Sequence, residues 1–271
     1  MVANRPTGRY SIPHATDGPK LTLGVLWFAA MAFGIARSWP VAAVVAGGVA
    51  ATAGLQAGDA WRRHTAVDRR VSAALAGTVA LAGGARQLGL GIAVVIAVLA
   101  CAVWVVVGLD LRRVPAALRP LTPTERLIVA TETAVLTAVP VGLAAGALVA
   151  LGRSEPWAAL ALLGLVSAYE AGDFLVGSGS ANAVEGPIAG LVSLAVVGFG
   201  LWLVQPDPFD GTTAVLFSAV AAVSCPLGQL AGSALLPHGA DWAPAVRRLD
   251  SYLVAAPLWL LLVTGVEPVV G

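Results

Sequence analysis

The stretch 186–204, GPIAGLVSLAVVGFGLWLV, contains no charged side chain. An α-helix needs about 20 mostly apolar residues to cross the hydrocarbon core of a bilayer. Similar apolar blocks recur along the chain, separated by charged residues or by proline and glycine. Nine such blocks predict membrane-crossing helices: 21–37, 40–57, 71–85, 88–109, 127–151, 156–176, 186–204, 212–235 and 251–268.

The composition supports this prediction. Of the 271 residues, 58% are hydrophobic and 11% are charged, and the mean hydropathy is +0.85. Soluble globular enzymes and disordered chains both carry far more polar residues. An outer-membrane barrel is excluded because its strands alternate apolar and polar side chains instead of forming long apolar blocks. We therefore expect an all-α polytopic membrane protein, located in the plasma membrane of a prokaryote.

The positions of the basic residues predict an orientation. If the N-terminus is cytoplasmic, all but three of the 16 Lys and Arg residues fall in cytoplasmic segments, and the exceptions are Arg37, Arg86 and Arg153. Membrane proteins concentrate Lys and Arg in their cytoplasmic loops. We expect a cytoplasmic tail at 1–20 without signal-peptide character, one membrane domain at 21–271, and an external C-terminus. The net charge of +1 gives no reason to expect a nucleic-acid partner.

Glu132, Glu170 and Asp173 fall inside predicted spans, where an ionisable side chain normally faces a partner or a wet cavity. Glu170 and Asp173 are three residues apart and share one helical face, a spacing that suits a divalent cation or a hydrogen-bonded carboxyl pair. A position at the cytoplasmic end, in contact with water, explains Asp173 equally well. For Glu132 we favour a polar contact between helices or a wet position near the interface.

Residues just before the last span also have structural explanations. Asp250 is placed to cap the free amides of the helix that follows. Arg247 and Arg248 are placed as ordinary cytoplasmic anchors. His238 lies in a short loop, where an isolated histidine is usually solvated. For these four residues, a structural role and a catalytic or binding role are both open.

Several short motifs follow one another between residues 165 and 260. In order and in distance from the C-terminus, they resemble the signature of the CDP-diacylglycerol synthase (phosphatidate cytidylyltransferase) superfamily. The motifs are YEAGDFLVG at 169–177, EGPIAG at 185–190, Gly228-Gln229, Ser233, Pro237-His238-Gly239 and Arg247-Arg248-Leu249-Asp250-Ser251.

The resemblance implies that the protein joins CTP to phosphatidate, releasing pyrophosphate and forming CDP-diacylglycerol, with the motif loops in the cytoplasm. This chemistry uses magnesium, bound by carboxylate oxygens, to neutralise the triphosphate. The resemblance assigns catalytic roles to Glu170 and Asp250. For an active enzyme of this kind, the candidate metal ligands are Glu170, Asp173, Asp241 and Asp250, and the candidate substrate-binding residues are Glu185, Ser233, His238, Arg247 and Arg248.

The chain also departs from the family signature. Ala181 and Asn182 replace the paired lysines, Gln229 replaces an aspartate, and Arg247 replaces the first aspartate of the closing motif. Three functions are therefore open. The chain is an active, divergent transferase acting on phosphatidate or a related lipid phosphate, an inactive relative that serves as a lipid-binding or scaffold protein, or a CTP-dependent polyprenol or phytol-type kinase. The expected partners are membrane lipid and, for an enzyme, CTP; a homodimer is also open.

Overall fold

The computed structural model describes residues 20–62, 64–65, 67–83, 118, 120–178, 180, 182, 184–238 and 241–265. Within these residues the chain is helical and has no β-strand, so the predicted all-α fold is confirmed there. The helices are α1 (Lys20–Arg37), α2 (Trp39–Trp61), α3 (Arg69–Ala82), α4 (Pro123–Ser154), α5 (Pro156–Gly177), α6 (Glu185–Val204), α7 (Gly211–Ala234), α8 (Pro244–Leu249) and α9 (Tyr252–Gly265).

Five helices, α2, α4, α5, α6 and α7, are long and apolar enough to cross a membrane. Eight of the nine predicted blocks coincide with a helix, and the block 88–109 lies outside the described residues. The short helix α8 was not predicted. It carries Arg247 and Arg248 between the last two apolar segments.

Side-chain caps explain where three of the helices begin. The Asp68 carboxylate accepts a hydrogen bond from the Arg70 amide at 2.7 Å, at the start of α3. Thr122 and Glu125 form a reciprocal capping box at the start of α4. Asp210 and Thr213 do the same at the start of α7. Each cap satisfies amides that have no partner within the helix, so these polar residues fix the helix boundaries.

Small residues allow α2, α3 and α4 to pack closely. One face of α2 is made of the fully buried Ala46, Ala50, Ala53 and Ala57. A side-chain carbon added at Gly54 would collide with the Ser72 carbonyl of α3. Between helices in a membrane, attraction comes from such close contact rather than from burial away from water, so small residues favour association.

Helices α3 and α4 run parallel to each other. The Ser72 and Thr137 hydroxyls form a hydrogen bond of 3.0 Å near one end of the pair. Further along both helices, Gly142 packs against Val79. Gly83, just after α3, packs against the backbone of Gly146 in α4. The chain therefore leaves α3 at one end of the bundle and enters α4 at the other.

Helices α5, α6, α7 and α9 form the other part of the bundle. Gly190 of α6 packs directly on Tyr169 of α5. The Phe217 ring of α7 meets Trp259 of α9 edge to face, with 4.7 Å between ring centroids. These contacts hold α5 and α7 in the positions from which their polar side chains meet.

Helix α8 closes one end of the bundle, called here the α8 end. The Ala245 amide, in the first turn of α8, donates to Gln56 Oε1 of α2 at 2.9 Å. Nearby, Trp61 Nε1 donates to the Leu235 carbonyl at 2.8 Å and ties α2 to the end of α7. At the opposite end, the Arg153 guanidinium lies 4.9 Å from the centroid of the Trp39 ring.

Candidate functional site

A connected group of polar and charged side chains lies at the α8 end, where α5, α7, α8 and the start of α9 meet. We call this group the polar network; its members are Tyr169, Glu170, Asp173, Gln229, Ser233, Arg247, Arg248, Asp250 and Ser251. Asp173, Gln229, Ser233, Asp250 and Ser251 are all buried. Buried polar groups are costly unless they are hydrogen-bonded, so the contacts inside the network decide what it can do.

Helix α5 places two carboxylates in the network, one turn apart. Although Glu170 and Asp173 are only one turn apart on α5, they bind different partners. Arg248 Nη1 donates to Glu170 Oε2 at 3.3 Å. Gln229 Nε2 donates to Asp173 Oδ2 at 3.1 Å. The two carboxylates therefore do not form a hydrogen-bonded carboxyl pair with each other.

Gln229 connects α5 to α7. Its side-chain oxygen accepts a hydrogen bond from the Tyr169 hydroxyl at 3.0 Å, while its side-chain nitrogen donates to Asp173. Its backbone carbonyl also accepts from the Ser233 hydroxyl at 3.1 Å. An aspartate at this position could not donate to Asp173. Glutamine at this position thus suits a hydrogen-bonding junction.

Arg247 and Asp250 form the second ion pair, with 3.5 Å between Arg247 Nη1 and Asp250 Oδ2. The same guanidinium nitrogen donates to the Ser233 hydroxyl at 3.1 Å. Asp250 Oδ1 accepts from the Ser251 amide at 2.7 Å. Gly228 and Gly232 of α7 leave room for Asp250, because a side-chain carbon at either position would collide with it.

Arg248 contacts Glu170 of α5, and it borders a cavity of about 340 Å³ between α1 and α5. We call this space the α1–α5 cavity. It is lined by Gly24, Val25, Phe28, Ser167, Ala168, Glu170, Ala171, Phe174 and Arg248. A side-chain carbon at Gly24 would lie 2.7 Å from Arg248 Nη1, so this glycine makes room for the guanidinium. Arg248 also borders a larger space of about 610 Å³ between α1 and α2.

Three of the predicted site residues lie outside the polar network. Asp241 Oδ2 accepts a hydrogen bond from the His238 amide at 3.1 Å and lies 3.8 Å from His238 Nδ1. The His238 ring packs near His64, with 5.9 Å between centroids. Glu185 is exposed in the first turn of α6 and makes no hydrogen bond or ion pair with any described residue.

The network does not fit a resident magnesium ion. Within the described ranges, no three His, Cys, Asp or Glu side chains are grouped so that they could hold a metal ion. Glu170 and Asp250 each face a guanidinium, and Asp173 accepts from an amide. Two arginines this close to the carboxylates would repel a divalent cation.

Some members of the site gave little signal in the sequence. In the sequence, Gln229 stands where the resembled signature has an aspartate, and its neutral side chain does not indicate a junction between helices. Tyr169 appeared only as part of a motif. Gly24 and Phe28 lie on α1, which carries no motif. Their role depends on the packing of α1 against α5, whose lining residues begin at Ser167, so local patterns could not indicate it.

Comparison of the chain with protein-family models, curated proteins and solved structures finds no match.

Proposed function

We propose that this chain is an integral membrane protein that binds a phospholipid head group in the α1–α5 cavity. One observation carries the proposal: the Arg248 guanidinium lines a cavity whose other walls are mostly apolar. Ligand pockets typically combine apolar walls with a few placed polar groups and enclose about 300–1,000 Å³. At about 340 Å³ the cavity suits a head group and its glycerol, with the acyl chains left outside.

The surroundings of the cavity favour a ligand that arrives from the bilayer. Val25 and Phe28 of α1 line it, and they are 60% and 40% exposed. Exposed apolar side chains on membrane-crossing helices are covered by lipid tails. An anionic phosphate placed on Arg248 would leave its acyl chains in contact with these same side chains.

A CTP-dependent transferase of the kind that the resemblance implies is the second candidate. It is favoured by the way that Glu170, Ser233, Arg247, Arg248 and Asp250, all motif residues, converge in one network. The charge balance opposes it, because the network contains three carboxylates and two guanidiniums. A nucleotide triphosphate needs an excess of positive charge around it. The same argument disfavours a CTP-dependent lipid kinase.

The proposal includes a topology of nine spans with a cytoplasmic N-terminus and cytoplasmic motif loops, in the plasma membrane of a prokaryote. The parallel arrangement of α3 and α4 supports a further span between them, and the block 88–109 is apolar enough to be one. With this topology the polar network lies near the cytoplasmic side. The lipid would then come from the inner leaflet.

Native mass spectrometry of the detergent-solubilised protein, incubated with a mixed phospholipid extract, tests the proposal. Ala168 lines the cavity, so Ala168→Phe fills it without changing a charge. Ala195, exposed on α6, provides the matched control Ala195→Phe. We expect wild type and the control to retain one phospholipid per chain and Ala168→Phe to lose it.

Equal lipid retention by the two variants contradicts lipid binding in this cavity. An assay of the purified protein with labelled CTP, magnesium and phosphatidate separates the two candidates. We expect no CDP-lipid above background. Turnover that is abolished by Asp250→Asn would establish the transferase instead.

A further inference from the structure

The α1–α5 cavity contains two opposite charges side by side. Arg248 Nη1 and Glu170 Oε2 are 3.3 Å apart, and both side chains line the cavity. Such a pair is electrically neutral as a unit. A phosphate on Arg248 therefore lies next to the Glu170 carboxylate, and a phosphate that carries two negative charges meets more repulsion there than a singly charged one.

One oxygen of Glu170 has unused capacity to accept a hydrogen bond. Glu170 Oε1 is buried and has no hydrogen-bond partner among the described residues. The Ser251 hydroxyl lies beside Glu170 and also 3.4 Å from Asp250 Oδ1, and its single hydrogen serves only one of these two side chains at a time. A buried carboxylate oxygen without a donor is unfavourable. A ligand that donates a hydrogen bond from a charged N–H group to this oxygen removes that penalty.

The wider polar network points the same way. Within the described part of the chain, Arg248 faces Glu170, Arg247 faces Asp250, and a third acidic side chain, Asp173, accepts from the neutral Gln229. A zwitterionic head group adds no net charge to this site. Phosphatidate has a phosphate and no cation, so it adds further negative charge beside these acidic side chains.

We infer that the α1–α5 cavity selects phospholipids whose head group carries a primary ammonium, with the phosphate on Arg248 and the ammonium on Glu170 Oε1. This inference rests on the proposed function, since it specifies the head group of the lipid bound there. A quaternary ammonium has the charge but no N–H, so it satisfies only half of the site. Phosphatidylethanolamine is the simplest lipid with the required groups.

The test is a competition measured by native mass spectrometry. The purified full-length protein receives equal amounts of phosphatidylethanolamine, phosphatidylcholine and phosphatidate with identical acyl chains. For wild type we expect phosphatidylethanolamine to exceed each of the others about tenfold, which corresponds to one hydrogen bond to a charged group. Glu170→Gln removes the negative charge, and we expect the ratio of phosphatidylethanolamine to phosphatidate to fall to one or below.

Glu132→Gln is the matched control, because Glu132 is an exposed glutamate on α4 that lines neither cavity. We expect this variant to keep the wild-type ratio. Wild type that retains all three lipids equally, or prefers phosphatidate, overturns the inference and leaves the proposed function standing. An unchanged ratio in Glu170→Gln also overturns it. Wild type that retains no lipid at all overturns the proposed function and this inference with it.

Discussion

Arg248 and Glu170 form an ion pair that is largely removed from solvent, with side chains 17% and 14% exposed. Taking two charges out of water is unfavourable, and their mutual attraction offsets this only while both are present. A buried pair of this kind contributes little net stability, but losing one partner is costly. Its presence at the wall of a cavity is therefore easier to explain by ligand binding than by folding.

Arg248→Gln tests the coupling within this pair. We expect the variant to lower the free energy of unfolding by about 3 kcal/mol, because the Glu170 carboxylate is left buried without its cation. Adding Glu170→Gln should restore most of the loss. Arg62→Gln is the control, since Arg62 and Asp59 form an exposed pair whose side chains are 60% and 43% exposed.

Reversible denaturation in detergent micelles provides the measurement. If the loss in free energy of unfolding in the double variant equals the sum of the losses in the two single variants, the Arg248 and Glu170 side chains do not interact as described.

Gly232 tests the room that α7 leaves for the polar network. A methyl group at this position collides with Asp250, so we expect Gly232→Ala to destabilise the protein by about 1–3 kcal/mol, as overpacking does. Gly48 on α2 has open space at the same point and supplies the control Gly48→Ala. Thermal denaturation compares the two. A Gly232→Ala protein as stable as Gly48→Ala would show that α7 and Asp250 are not in close contact.

At the level of the helices, the sequence was informative wherever a boundary is set locally. The predicted block 212–235 and the helix α7 (Gly211–Ala234) agree because the Asp210 cap acts on amides only a few residues away. Helix α8 was missed because it carries two arginines and, with six residues, is too short to show a helical repeat of apolar side chains. Its position depends on Gln56 of α2, a contact across 189 residues that no local pattern reveals.

The Asp210 cap predicts a pH dependence at the start of α7. Hydrogen bonds from the Thr213 amide and hydroxyl hold the pKa of the Asp210 carboxyl below its ordinary value. The stabilisation by the cap is thus fully present above the unfolded-state pKa of about 3.9 and is lost as the pH falls through the lower, folded-state pKa. Asparagine also caps helices but does not titrate in this range.

We expect the difference in melting temperature between wild type and Asp210→Asn to shrink as the pH is lowered from 5 toward 3. Asp207 is an exposed acid in the same loop that makes no hydrogen bond with the described residues, so Asp207→Asn serves as control. A difference that stays constant over this range would contradict the capping role.

At the scale of the whole molecule, the two ends of the bundle are distinct. The polar network, the α1–α5 cavity and helix α8 lie at one end, and the contact of Arg153 with Trp39 marks the other. The basic residues predict that the α8 end is cytoplasmic. The motif residues that the sequence singled out on α5, α7 and α8 meet there. The wall contributed by α1 was not predictable, because it depends on how distant helices pack.

Cysteine labelling tests the topology. In a background without the native Cys101 and Cys225, cysteine is introduced by Arg62→Cys or by Asp207→Cys. We expect a membrane-impermeant maleimide to label Asp207→Cys in intact cells and Arg62→Cys only after permeabilisation. These positions are exposed at the ends of α2 and α6. Labelling of the cysteines at positions 62 and 207 from the same side would contradict the predicted topology, which places an odd number of membrane crossings between them.

Photo-cross-linking shows whether a phospholipid head group binds in the space beside Arg248, as we propose. The protein is reconstituted with a phospholipid that carries a photoreactive group near its phosphate, and the modified peptides are identified by mass spectrometry. We expect modification of 24–28 on α1 and 167–174 on α5, with loss of both in Ala168→Phe. Modification confined to the exposed apolar face of α6, or unchanged in that variant, would contradict it.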